Sequence, residues 1–91
     1  MCTYQTEHLD VHASAKASDG WTSMTKAIVY FDHPVHFGAG HALMIDFLNP
    51  SIGPSARAAL EMDPESARAL AQAILKSLES VPAALMSDLV S

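Results

Sequence analysis

The stretch AIVYFDHPVHFGAGHALMIDF, residues 27–47, decides the fold. Two runs rich in Val, Ile, Tyr, Phe and Leu flank a segment broken by Pro34, Gly38 and Gly40. β-Branched and aromatic residues favour a pleated strand, and proline with glycines marks a loop. If the loop closes by pairing His33 with His41, then Phe31 meets Leu43, Val29 meets Ile45 and Ala27 meets Phe47. That register gathers one continuous apolar face, whereas a slip of one residue would scatter it. The opposite face, with Ile28, Tyr30, Met44 and Leu48, is also largely apolar.

Upstream, TYQTEHLDVHA (3–13) alternates. Leu9, Val11 and Ala13 fall on one side, and Tyr4, Thr6, His8, Asp10 and His12 on the other, as expected of a first strand. SAKASDG (14–20) reads as a turn and WTSMTKAIVYFDH (21–33) as the second strand. HALMIDFL (41–48) is the third strand and NPSIGPS (49–55) a loop. ARAALEM (56–62) is a weak fourth strand, because alanine is a poor strand former.

After Met62 the period changes. Asp63 is placed as an N-cap, followed by Pro64 and Glu65 in a first helical turn. Ala67, Leu70, Ala71, Ile74, Leu75 and Leu78 then recur at helical spacing and predict an amphipathic helix over about 64–81, ending before Pro82. The tail PAALMSDLVS carries Leu85, Met86, Leu89 and Val90 and reads as a short helix that either frays or docks on a neighbouring subunit. The expected fold class is therefore α+β: a four-stranded antiparallel β-meander with one C-terminal amphipathic helix packed on one face and a short helical tail. All 91 residues are expected to form a single domain.

Composition narrows the partners. Net charge is −5, and the five basic residues (Lys16, Lys26, Arg57, Arg68, Lys76) are scattered. Nucleic acids and anionic membranes are bound through clustered Lys and Arg, so neither is an expected partner. No apolar run reaches the roughly 20 residues of a membrane span, and Glu7 and Asp10 near the start do not fit a signal peptide. With Cys2 as the lone cysteine, the expectation is a cytoplasmic protein. Charged residues make up only 16% of the chain and hydrophobic ones 49%, against about 25% charged in a typical domain. Part of the surface is thus expected to be buried in a homo-oligomer, with a dimer through the Tyr30 and Met44 face as the simplest form.

All five histidines lie within the first 41 residues. In the proposed register His33 and His41 are cross-strand neighbours with Cβ atoms about 5 Å apart, and His36 sits in the loop between them. Imidazoles so placed can share a divalent metal such as Zn, Fe, Ni or Cu. Asp32 points to the other face and suits an outer-sphere role. Cys2 and Glu61 are candidates to complete the shell or to move protons, with Glu61 expected near Leu43. Against that stand two plainer readings: metal-free acid–base use of the imidazoles, or a strand cap, a solvated loop residue and a strand start. His8 and His12 read as a solvated or interface face beside Lys26 and Met24. Trp21 and Tyr4 read as sheet packing or as the lining of an apolar pocket. Gly38 and Gly40 serve the bend; no helix follows them, so no phosphate loop or nucleotide cofactor is expected.

The segments MCTYQTEH, DGW, VYFDHPVH, DFLNP and SARAALEM resemble a small actinomycete protein family of unknown function. The resemblance covers most of the chain before the tail. It implies that Cys2–Thr6 and Asp32–His36 belong together, and it brings no established activity. In that family a carboxylate often precedes the third histidine, where this chain has Gly40. Some such proteins accompany natural-product metabolism. Three functions follow as expectations. The first is an oligomeric metalloprotein acting as a lyase, isomerase or hydrolase on a small molecule. The second is a metal-free enzyme or binding protein with a pocket between subunits, and the third a non-catalytic dimerising module.

Overall fold

The computed structural model describes residues 4–86. Its elements run β1 (Thr6–Ala17), β2 (Gly20–Asp32), β3 (Ala42–Leu48), β4 (Arg57–Met62), helix α1 (Pro64–Glu79) and a 3₁₀ turn at Ala83–Leu85. The strands form one antiparallel sheet in the order β1-β2-β3-β4. The fold is therefore α+β, a four-stranded meander followed by a helix.

The central hairpin adopts the register read from the sequence: Phe31 pairs with Leu43, Val29 with Ile45 and Ala27 with Phe47. Two details of the first hairpin differ. SAKASDG is mostly strand, because Ala17 pairs with Gly20 and the connection is only Ser18–Asp19. Gly20 has φ 116°, which a residue with a Cβ adopts at a cost. The register also shifts between Asp10 and Ala13, where two residues of β1 oppose one of β2. This bulge puts Leu9 and Ala13 on opposite faces instead of the same one, since one inserted residue inverts every side chain beyond it.

The larger surprise concerns which face is closed. Met24, Ala42 and Met44 are buried on the face of Ile28 and Tyr30, which the sequence reading leaves for a second subunit to cover, while Ala27 is the buried residue of β2 and β3 on the helix side. Polar anchors tie down the loops at both ends of β3, and the one held by Glu61 lies on the Tyr30 face. Asn49, itself only 6% exposed, donates from Nδ2 to the Ser23 carbonyl next to Met24. Its Oδ1 accepts from the Ser51 amide and hydroxyl, and its own carbonyl accepts from the Ile52 and Gly53 amides. Glu61, cross-strand from Met44, holds the other loop, as described below. On the opposite face α1 stands over Val29, Phe31, Leu43, Ile45 and Met62, yet none of its sixteen residues is buried. Leu70, Ile74, Leu75 and Leu78 are 42–66% exposed. The helix begins as the sequence predicts, with the Asp63 carboxylate accepting from the Ser66 amide and Pro64 in the first turn. The hydrogen bond to Ser66 holds the Asp63 carboxyl below its ordinary range.

Candidate functional site

Antiparallel pairing of β2 with β3 brings the ends of both strands, and so His33 and His41, to one point. Their ring centroids lie 4.4 Å apart, tilted by 41°. His41 stacks on Phe31 with centroids at 5.6 Å and planes 12° apart. Tyr4, arriving just ahead of β1, packs edge-on against Phe31 at 5.1 Å and against His41 at 5.8 Å. Two aromatic rings, Phe31 and Tyr4, thus fix the orientation of His41 and leave His33 on the open side, its side chain 65% exposed.

Asp32 completes the group. Its Oδ1 accepts from the His33 amide at 2.7 Å and lies 3.1 Å from His33 Nδ1. The first of these bonds, assisted by the second, holds the Asp32 carboxyl below its ordinary value, so it is a carboxylate at neutral pH. A carboxylate at Nδ1 selects the tautomer with the proton on that nitrogen and leaves Nε2 with its lone pair outward. A base or a metal ligand both need that state.

His36 is not part of this group. It lies on the β4 side of the hairpin, along a cleft with Val35, Phe37, Arg57, Ala59 and Glu61. Glu61 pairs with Met44 instead of lying beside Leu43, whose partner is Met62. It therefore occupies the face opposite His33 and His41. Glu61 Oε2 accepts from the Val35 amide at 2.7 Å, and Oε1 accepts from the His36 and Phe37 amides at 2.9 and 2.7 Å. The Val35 amide foremost, with those of Phe37 and His36, lowers the Glu61 carboxyl below its ordinary value. Glu61 is thus placed as the clasp that closes the hairpin loop. Among the described residues, no three His, Cys, Asp or Glu side chains are grouped to hold a metal ion. Cys2 lies outside the described residues.

With the rings of His33 and His41 in contact and Asp32 beside them, the DHPVH motif is seen in its setting. The chain belongs to a family of unknown function (DUF6295), whose model matches residues 1–87. No curated protein and no solved structure matches it, so the family carries no established activity.

Other expected sites are dispersed. Trp21 is 68% exposed and pairs with Lys16 near the tip of the first hairpin, far along the sheet from Tyr4, so the two line no common pocket. His8 pairs with Ile28, and Asp10, two residues on, forms an ion pair with Lys26. Sequence reasoning missed a polar group on the closed face: Asp46 accepts from Tyr30 Oη at 3.1 Å and from Arg57 Nη2 at 2.9 Å. Burial first, then the bond to Asp46, pushes the Tyr30 phenol above its ordinary value. The register carries the clue, since Asp46 lies between Ile28 and Ala59, two apolar cross-strand neighbours, and so needs partners from farther along the face. Among the described residues no helix is long and apolar enough to cross a membrane.

Proposed function

We propose that the chain binds a small molecule over the His33–His41 pair and moves a proton to or from it. The observation that carries this reading is the pair itself: two imidazoles in ring contact, one anchored by stacking on Phe31 and the other oriented by Asp32. A general base needs a free ring nitrogen, a fixed orientation and a second group to steady the charge it acquires. Here Nε2 of His33 supplies the first and Asp32 the second and third. Phe31 and Tyr4 offer an apolar aromatic edge against which the body of a ligand can rest. Proton transfer of this kind serves isomerases and lyases acting on small molecules.

A divalent metal at the same pair is the second reading. It is favoured by the Asp32–His33 contact, because metal-binding imidazoles commonly donate their other ring N–H to a carboxylate. His33 and His41 would be the protein ligands, with Cys2 as a further candidate.

One experiment separates the two. The imidazole and Phe31 ring protons are followed by NMR while a fragment library is added in the presence of EDTA, and again while Zn²⁺ is titrated in its absence. Fragments that shift His33, His41 and Phe31 together in EDTA, and no longer do so in His33→Ala, bear out the small-molecule site. A response to Zn²⁺ alone transfers the assignment to metal. If nothing moves the three residues as a unit, both readings fall.

A further inference from the structure

The groove between α1 and the sheet is open, about 530 Å³ in volume. It is walled by Val29, Phe31, Ile45 and Met62 on one side and Leu70 and Ile74 on the other. We infer that a second copy of this chain covers it, packing its own α1 ridge against the groove.

The argument is one of area. A folded monomer of 9.7 kDa exposes roughly 5,100 Å² by the usual scaling of surface with mass. This chain exposes 7114 Å², an excess of about 2,000 Å². The eight residues outside the described segment account for at most about 1,200 Å² of this, which leaves an excess of at least about 800 Å². That remainder matches what each partner buries in a standard to obligate protein interface, about 800 Å² and upward. The radius of gyration agrees: 15.0 Å, against roughly 12 Å for a compact chain of this length.

The excess is located as well as measured. On the closed face Met24, Ala42 and Met44 are at 6% exposure or less, and the apolar side chains still exposed there, Val35 and Phe37, belong to the loop held by Glu61 and form no continuous stripe. The helix side holds Leu70, Ile74, Leu75 and Leu78, every one at least 42% exposed. An apolar stripe of that size on a confined face is rare in a monomer. Ridge and groove lie on the same side of the molecule, so two copies related by a twofold axis can each insert the ridge into the other's groove, which is the self-complementarity an isologous dimer requires. Phe31 lines the groove and also stacks on His41, so the dimer boundary would run to the edge of the imidazole pair. The inference stands on surface area and holds whatever the imidazoles do.

Sedimentation equilibrium of the full chain tests it, together with isotope-filtered NOEs on a mixture of labelled and unlabelled protein. The expected mass is twice 9.7 kDa, with intermolecular contacts among Ile74, Leu75, Leu78, Val29 and Ile45. Leu75→Glu should halve the mass, while Ala59→Glu, an exposed position on the closed face, should leave it doubled. The wild-type NOEs decide the matter even if Leu75→Glu fails to fold. A monomeric wild type at about 100 µM overturns the inference, whether its groove is empty or filled by residues 87–91 of the same chain. So does a dimer whose contacts gather on the Tyr30–Met44 face.

Discussion

Met44→Ala and Leu75→Ala test which face holds the isolated chain together. Met44 is 6% exposed, between Tyr30 and Glu61 in the middle of the sheet. Truncating it removes most of a buried methionine side chain, about 1.5–3 kcal/mol of transfer free energy. The cavity left behind brings the expected loss to about 2–4 kcal/mol, within the range found for buried Met→Ala changes. A chain of this size has about 5–14 kcal/mol in total, so the loss is a large fraction and should lower Tm by roughly 8–30 °C. Leu75 is 66% exposed, so in the single chain only about a third of its side chain is out of water, and truncation should cost about 0.5–1 kcal/mol. Urea unfolding followed by circular dichroism at two protein concentrations gives both numbers. In dilute protein Met44→Ala should dominate. In concentrated protein the deficit of Leu75→Ala should grow, because association stabilises only the folded chain. A cost below about 1 kcal/mol for Met44→Ala, or equal costs for the two variants in dilute protein, would refute the assignment of the core to the Tyr30–Met44 face.

Three further outcomes follow from named contacts. Glu61→Gln should speed amide exchange at Val35, His36 and Phe37. In the wild type those amides should titrate below pH 4.5: the folded pKa is depressed, so loop closure is complete above the ordinary value and is lost as pH falls through the folded one. A midpoint at or above 4.5 contradicts the clasp. Tyr30 should ionise above 10 by absorbance at 295 nm and Asp46→Asn should bring it down in part; its raised folded pKa supplies stability present below pH 10 and lost as pH rises through that folded value. Asn49→Ala should cost about 1–3 kcal/mol in denaturant, because it removes the bond to Ser23 and leaves the Ser51 amide and hydroxyl without their acceptor; a neutral result would show that the loop is held otherwise.

What the sequence disclosed depended on whether the information was periodic. The central hairpin was legible because both strands are dense in large apolar residues, so only one register makes a coherent face. The helix start was legible because Asp63-Pro64-Glu65 combines three independent preferences at one boundary. Ser14–Ala17 was read as turn because Ala, Ser and Lys are weak strand formers, yet pairing with Gly20–Ser23 extends the strand in spite of them. The Asp19-Gly20 step, with Gly20 at positive φ, was the local signal of a tight connection there. The bulge at Val11–His12 left no such mark, since either register leaves small or polar residues on both sides.

The closed face and the site obey the same distinction. Period-two reasoning correctly brings His33 to His41 because each sits one residue beyond the last strand pair, Asp32 with Ala42, and the parity of the strands carries over. It says nothing of His36, a loop residue whose direction follows from where Glu61 grips the backbone around it. Glu61 itself was assigned to the chemistry of the imidazoles on proximity along the sheet, but a shift of one residue in β4 sends it to the opposite face and turns a candidate proton carrier into a loop clasp. Asn49 anchors the loop at the other end of β3 to the Ser23 carbonyl, and no apolar pattern announces either anchor. The helix then stands as the unsatisfied element: its sequence is amphipathic enough to demand a partner, and its own sheet leaves every one of its residues at least partly exposed. A stripe of that kind calls for apolar surface from elsewhere, which the second copy proposed above would supply.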